Sequence, residues 1–423
     1  MWHMARFLLT AMPFTGHVRP LLAVAESLAD RGHDVRFYSG SAFEAPATAA
    51  GVRFVPWTSA PDFDENDLQA TFPRLIGRKG LRQVFINLED VMIGTAPAQV
   101  ADLTAEWARA PWDALIADET SVGGALAAES IGCRWATVAV LPLHMAGTQG
   151  PPPGLGLTPG TNALTRARDA LLRAAVPLLA RPLQGPLGRA RSAVGLGPSR
   201  LTFEKALMSP HLVLASGGPL LDFDRSDRPP HLHFVGELAR SRAADFAPPP
   251  WWGDLDGRRV VLVTQGTQNI EPSDLLQPTL EALADEDVLV VATTGIPGRD
   301  DLPFPVPGNA RVAGFIPYPH LLPHVDVIVT NGGWGGTVAA LAHGIPLVIG
   351  GGDLDKPEVA ARVAWSGAGV NLKTGTPSPA QVAAGVARVL AEPSFRQAAE
   401  RVGAQLRSLG GASRAAELLG ELP

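Results

Sequence analysis

The chain has 423 residues, 46% hydrophobic and 18% charged, with a formal charge of −6 and a pI near 5.9. That length suits two to three ordinary domains with large cores, and that composition excludes a disordered chain. No basic block stands out, which argues against a nucleic-acid partner. From the N-terminus, Arg6 and then only Phe7-Leu8-Leu9 before polar Thr10 read as a strand over Phe7–Ala11, not a signal peptide. Pro20 marks a helix start, Leu21, Leu22, Ala25 and Leu28 share one face, and Arg31-Gly32-His33 ends it. Val35–Tyr38 is the next strand, completing a β-α-β unit with a parallel sheet. The pattern weakens around 60–95. Ala114–Ala117 and Ala136–Val140 are further buried strands. Cys133 is the single cysteine, so no internal disulfide can form, which suits a reducing cytoplasm. Gly147–Gly160 is rich in Pro and Gly and, with 60–95, reads as loop over a site. His211–Ala215 closes the first half.

Leu238–Gly257, with Pro248-Pro249-Pro250 and Trp251-Trp252, reads as a linker. A second alternation starts at Arg259: strand Val260–Val263, turn Gln265-Gly266-Thr267, helix Asp274–Ala284, then strands Val288–Ala292, Val325–Val329 and Leu347–Ile349. Val327–Gly352 is uncharged and long enough to span a bilayer, but its eight glycines, Asn331 and Pro346 reject a membrane helix. The expectation is an α/β chain of two Rossmann-like, doubly wound domains facing a central cleft. Residues 1–237 form the first domain, 238–257 the linker and 258–392 the second domain. Helices in 393–423 pack back on the first. Such sheets bind ligands at their carboxyl ends.

The most informative stretch follows Val329. Asn331, Gly332, Gly333, Trp334, Gly335 and Gly336 lead into a helix expected to open at Thr337. Glycines at a strand-to-helix turn let backbone N–H groups approach an anion, and the helix N-terminus adds partial positive charge. The stretch reads as a diphosphate cradle. It lacks the Lys of a Walker loop, and Val338 occupies the third-glycine position of G-x-G-x-x-G.

Five segments in order carry a family likeness: Phe14-Thr15-Gly16-His17-Val18-Arg19-Pro20, Asp118, Gly314-Phe315-Ile316-Pro317, Asn331–Pro346 and Asp355-Lys356-Pro357-Glu358. Together they resemble the family-one, GT-B-fold glycosyltransferases, most of all bacterial enzymes that glycosylate macrolides and other natural products. The resemblance implies an inverting hexosyltransferase. His17 would be the general base that deprotonates an acceptor hydroxyl, and Asp118 would orient it and stabilise the imidazolium, with Glu119 as a neighbouring competitor. Gln265, Gly266 and Thr267 would hold the donor phosphates. Phe315 would stack on the base, Ile316 would meet the base edge through its backbone, and the 331–337 cradle would hold the diphosphate. Asp355 and Lys356 would read the sugar. Co-substrates would be a nucleotide diphosphate sugar and a small lipophilic hydroxylated acceptor, in a monomer or homodimer with no integral membrane segment.

Three positions depart from the family pattern. Asn331 stands where the family has His, Lys356 where it has Gln, and Ala339 where uridine-using enzymes carry a ribose-binding Glu. Ala339 leaves uridine and thymidine both open, and Asp355 fits a hexose with free equatorial hydroxyls. UDP-glucose is slightly favoured over a dTDP-deoxysugar. Asp-x-Asp pairs at Asp62/Asp64, Asp222/Asp224, Asp254/Asp256 and Asp353/Asp355 read as chance in an Asp-rich chain, so no essential metal or other cofactor is expected. The alternatives are a nucleotide-sugar epimerase on the same double fold and a non-catalytic sugar-nucleotide-binding partner.

Overall fold

The computed structural model describes residues 4–78, 80–145, 147–199, 201–239, 246–266 and 271–422. The first sheet holds seven strands: β1 (Arg6–Thr10), β2 (Asp34–Ser39), β3 (Arg53–Pro56), β4 (Ala114–Asp118), β5 (Arg134–Ala139), β6 (Leu212–Ser216) and β7 (Leu232–Gly236). Their order across the sheet is β3-β2-β1-β4-β5-β6-β7, all parallel. The second sheet holds β8 (Val260–Thr264), β9 (Leu289–Thr293), β10 (Ala310–Ala313), β11 (Val327–Thr330), β12 (Leu347–Ile349) and β13 (Gly369–Asn371), in the order β10-β9-β8-β11-β12-β13, also parallel.

Both sheets are covered on two faces, which is why their central strands are apolar runs rather than alternations. Phe7 and Leu9 of β1 point into one core with Leu21 and Leu22, while Leu8 points into the other with Leu115 and Trp112. In the second sheet Val260 and Leu262 face one core and Val261 and Val263 the opposite one. This period of two follows from the pleat.

The helices used below are α1 (Thr15–Asp30), α2 (Val122–Ile131), α3 (Ala163–Leu179), α4 (Arg181–Ala193), α5 (Pro272–Leu283), α6 (Trp334–Ala342), α7 (Lys356–Ser366), α8 (Pro393–Ser408) and α9 (Gly411–Gly420). Two begin earlier than the sequence suggests. α1 starts at Thr15, not Pro20: Glu65, fifty positions away, accepts the Thr15 N–H at 2.9 Å, and Pro20 sits inside the helix. α6 starts at Trp334, not Thr337, because Gly333 caps it and Thr337 N–H donates to the Gly333 carbonyl at 3.0 Å. Four strands without a clear sequence signal, β3, β7, β10 and β13, are the four sheet edges. An edge strand is covered on fewer sides and needs no continuous apolar run. The 60–95 region is not plain loop: it contains short helices at Leu68–Thr71 and Gly80–Ile86 and a π-helical turn at Asn87–Ile93. Residues 147–160 form no helix or strand.

Between the sheets, Phe246, Trp251 and Trp252 pack against the second core. α8 lies on α6 and reaches β7, where the Leu406 carbonyl comes within 2.3 Å of any Cβ built on Gly236. α9 lies on α1 and adds Ala415, Ala416, Leu418 and Leu419 to the first core. No helix among the described residues is long and apolar enough to cross a membrane.

Candidate active site

In each sheet the strand order reverses at one place, between β1 and β4 and between β8 and β11. The chain leaves those neighbouring strand ends in opposite directions and opens a crevice. His17 follows β1 and Asp118 ends β4. Asn331 follows β11 and Gln265 follows β8. Sheet topology therefore gathers residues up to a hundred positions apart.

His17 lies in the first turn of α1 and is 9% exposed. Its Nδ1 is 3.3 Å from Asp118 Oδ1 and 3.2 Å from Thr120 Oγ1. Asp118 is enclosed. Its Oδ2 accepts the Met12 N–H at 2.6 Å, and its Oδ1 accepts the Thr120 N–H at 2.6 Å and the Thr120 hydroxyl at 2.5 Å. Burial alone would raise the Asp118 carboxyl. The imidazole beside it, with the Thr120 and Met12 donors, outweighs burial and holds it below the usual range. Asp118 is thus a fixed carboxylate that ties β1 to β4 and orients the ring. Thr120 was not foreseen from the sequence. Its only signal is a hydroxyl two residues past the strand's terminal Asp.

Glu119 is a different carboxyl. Its Oε1 accepts the Leu141 N–H at 2.6 Å, while Oε2 is buried with no partner. Burial first, and then the nearby Asp118 and Asp355 charges, push it well above the ordinary value. Its surroundings therefore disfavour the charged form, where those of Asp118 favour it.

Across the cleft, Asp355 stands at the N-cap of α7, yet its side chain caps nothing. Burial raises its carboxyl, opposed by its own backbone N–H and by Lys356 and His17. Leu354, just before it, has φ 52°, a left-handed conformation that is costly for a leucine. Lys356 donates from Nζ to Asp353 at 2.8 Å, so its charge is turned to that neighbour. Four of the other Asp-x-Asp acids have protein partners: Asp62 has Ser41, Asp64 has Asn66, Asp222 has two arginines and Asp254 has Arg311.

The glycine turn separates into parts with different jobs. Gly332 has φ 87°, and a Cβ there would lie 2.8 Å from Ile349 Cγ2, so the chain requires glycine. At Gly335 a Cβ would meet nothing within 4 Å. Glycine there is not imposed by packing and leaves the helix N-terminus bare. Asn331 donates from Nδ2 to the Gln265 carbonyl and accepts the Gly333 N–H at 3.3 Å, so its amide clasps β8 to β11 instead of pointing free. Gln265 donates to the Glu271 carbonyl at 2.9 Å, and its Oε1 is buried with no partner among the described residues. Gly266, with φ 74°, turns the chain behind it. Thr267 lies outside the described residues.

Burial takes three side chains of this stretch into the core and leaves the cradle to the backbone. The Trp334 ring does not line the cradle. It is 5% exposed and sits in the second core, its edge 2.6 Å from a Cβ built on Gly217 of the first sheet. Thr337 is fully buried, with no partner for its hydroxyl. Ala339 is 5% exposed and packs in the same core, so it presents no open face to a ribose. Ile316 is also core, which leaves only its backbone to face a ligand. Phe315 is 44% exposed, and the Arg19 guanidinium from α1 lies 5.5 Å from its ring centre, a cation–π contact across the cleft.

A buried charge cluster joins the two halves beside this site. Glu358 on α7 accepts the Gly156 N–H at 2.9 Å and pairs with Arg362. Arg362 also pairs with Asp222 at 3.2 Å, donates to the Leu143 carbonyl at 3.3 Å and covers the Phe223 ring at 4.6 Å. His144 lies in this cluster, and burial holds its imidazole down to about 4. The loop over 141–156 is therefore fastened to the helix that begins at the Asp355–Lys356 pair.

Comparison with known proteins shows the family. The chain is 41% identical over 401 residues to 4'-demethylrebeccamycin synthase of Lentzea aerocolonigenes, covering 94% of each chain. The chain belongs to the family-one, GT-B-fold glycosyltransferases. This glycosyltransferase is also 33% identical to UDP-glucosyltransferase B1 of Starmerella bombicola, over 94% of its length and 93% of the relative's. Residues 277–416 match the erythromycin biosynthesis protein CIII-like C-terminal domain. The glycosyltransferase of kitacinnamycin shares the fold with a TM-score of 0.74 at 22% identity, over all of both chains. The calicheamicin glycosyltransferase does so at 0.73 and 22%, over 99% of this chain and 98% of the other. As a glycosyltransferase the chain is neither an epimerase nor a bare binding partner.

Proposed function

We propose that this glycosyltransferase moves a hexose, glucose from UDP-glucose by preference, with inversion onto a hydroxyl of a small lipophilic natural product. The observation that carries the reading is the enclosed His17–Asp118 pair facing an Asp355 carboxylate that caps nothing. His17 Nε2 takes the acceptor proton as the hydroxyl oxygen attacks the anomeric carbon in line, opposite the departing diphosphate. Asp118 holds the ring through Nδ1 and stabilises the imidazolium. The bare N-terminus of α6, with Gly333 and Gly335, receives the negative charge that develops on the leaving group. Asp355 accepts hydrogen bonds from adjacent sugar hydroxyls. The names of full-length relatives support a nucleotide-sugar donor and a natural-product acceptor, and several are called UDP-glucosyltransferases.

The test is a panel of UDP- and dTDP-sugars against hydroxylated aromatic and macrolide compounds, read by mass shift. His17→Ala is expected to lower kcat by ~10²–10⁴ with donor affinity little changed. Asp118→Asn is expected to fall between wild type and that variant. Near-normal turnover of His17→Ala removes His17 from the mechanism. Glucose donors are expected to outperform 2,6-dideoxy donors, and Asp355→Ala to narrow the gap, since an unpaired desolvated carboxylate costs about 1–3 kcal/mol. A preference for deoxysugars that Asp355→Ala leaves unchanged would refute its sugar-reading role. Excess EDTA is expected to spare most activity. Complete loss restored by Mg²⁺ or Mn²⁺ would place a metal at the leaving group.

A further inference from the structure

α3 is a helix of 17 residues that buries one of them, Asp169. A helix that size is marginal without an apolar face packed on something. Its apolar face exists but points outward. Leu164, Leu171 and Leu178 recur every seven residues and are 81%, 77% and 69% exposed. Ala167 and Ala174 between them are also exposed. At 3.6 residues per turn these positions fall on one arc of the helix. The stripe is continuous and unpartnered among the described residues, unlike scattered surface leucines.

Charge says what covers it. Residues 161–200 contain seven arginines, one aspartate and no lysine or glutamate, in a chain whose net charge is −6. Arg168 is paired with Asp169 and Arg191 with Glu129, whereas Arg166 beside the stripe and Arg181 at its far end are exposed. A second copy of the chain would bring the same arginines against one another. An anionic lipid surface satisfies both features, with leucines in the acyl boundary and guanidinium groups at the phosphates.

We propose that α3 docks this protein on anionic membrane surfaces, lying in the interface without crossing it. The inner side of α3 is fastened to the 150–160 loop. Asp169 accepts the Gly160 N–H at 2.7 Å, Arg168 donates to the Thr158 carbonyl at 2.9 Å, and Arg173 donates to the Gly150 carbonyl. The next residues of that loop, through Gly156, reach Glu358 on α7. Docking therefore sets a loop of the cleft against the bilayer, where a lipophilic acceptor partitions. That use rests on the proposed acceptor class, whereas the docking itself does not.

The test is flotation of the full chain with vesicles of phosphatidylcholine alone and with about one third phosphatidylglycerol. Wild type is expected to float with the anionic vesicles and much less with neutral ones, and high salt is expected to weaken binding. Leu171→Glu combined with Leu178→Glu is expected to cut vesicle binding at least ~tenfold, with transfer to a water-soluble acceptor unchanged. Arg166→Glu with Arg181→Glu is expected to abolish the preference for anionic lipid. The proposal is overturned if wild type ignores anionic vesicles or if the leucine variant binds them equally. It is also overturned if size-exclusion chromatography shows a dimer that the leucine variant dissolves, since a second copy then covers the stripe.

Discussion

Two adjacent carboxyls, Asp118 and Glu119, are shifted in opposite directions by what surrounds each. An imidazole and the Thr120 and Met12 donors outweigh burial at Asp118, whereas burial and two negative neighbours outweigh the backbone donors Leu141 and Val140 at Glu119. A carboxyl whose folded value is raised binds more protons in the folded state than in the unfolded one. Its contribution is present below the ordinary value near 4.5 and is lost as pH rises toward the raised folded value. Glu119→Gln keeps an acceptor for the Leu141 N–H and needs no proton. It is expected to raise Tm most at pH 8 and not at all near pH 4.5, measured by thermal melts across that range. A variant less stable than wild type at pH 8 would mean that Glu119 is ionised in the fold. In the sequence the role of Asp118 is what the family resemblance implies, and the residue's own signal is its place at the end of an apolar strand. The upward shift of Glu119 has no such signal, because it depends on the Leu141 backbone and on Asp355, both distant in sequence.

Helix α7 is the element that links donor side to loop. Asp355 precedes it, Glu358 on its first turn holds Gly156, and Arg362 one turn later holds Asp222 and the Leu143 carbonyl. Arg362 is 1% exposed, so removing its charge takes the paired cation from buried Glu358 and leaves buried Asp222 with Arg225 alone. Arg362→Met, which keeps the apolar stem, is expected to cost about 3–5 kcal/mol and to lower Tm by several degrees. Limited proteolysis of the same variant is expected to cleave first within 147–160. Protection of that loop equal to wild type would show that the cluster does not fasten it. In the sequence, Glu358 stands out as the end of the Asp355-Lys356-Pro357-Glu358 segment, and its relation to Arg362 only as an i, i+4 pair of the kind that usually faces solvent. Burial of the pair follows from the approach of the Asp222 turn.

The chain ends by crossing back over both sheets, α8 on α6 and α9 on α1. Leu418, Leu419 and Leu422 are each at most 9% exposed in the first core. Their burial contributes roughly 2 kcal/mol apiece, comparable in sum to the whole stability of an ordinary domain. Truncation after Leu409 is expected to give protein that aggregates or melts far below the full chain, although every residue of the proposed site is retained. A truncated chain with unchanged Tm would show that the first sheet folds without the strap.

The sequence by itself determined the alternating α/β architecture, because parallel strands covered on both faces must be apolar runs with helical patterns between them. It also determined the strand-end positions of Asp118 and Asn331, because each directly follows such a run, and placed His17 in the turn-to-helix segment after the first strand. Tertiary structure alone decided which strands lie on the edges, since edges need no strong pattern. It decided where α1 and α6 begin, since Glu65 fixes one and Gly333 with the packed Trp334 ring fixes the other. It turned Trp334, Thr337 and Ala339 into core, Lys356 toward Asp353 and the leucines of α3 outward. Each of these depends on which distant surface arrives at a side chain, and only the completed fold brings that surface there.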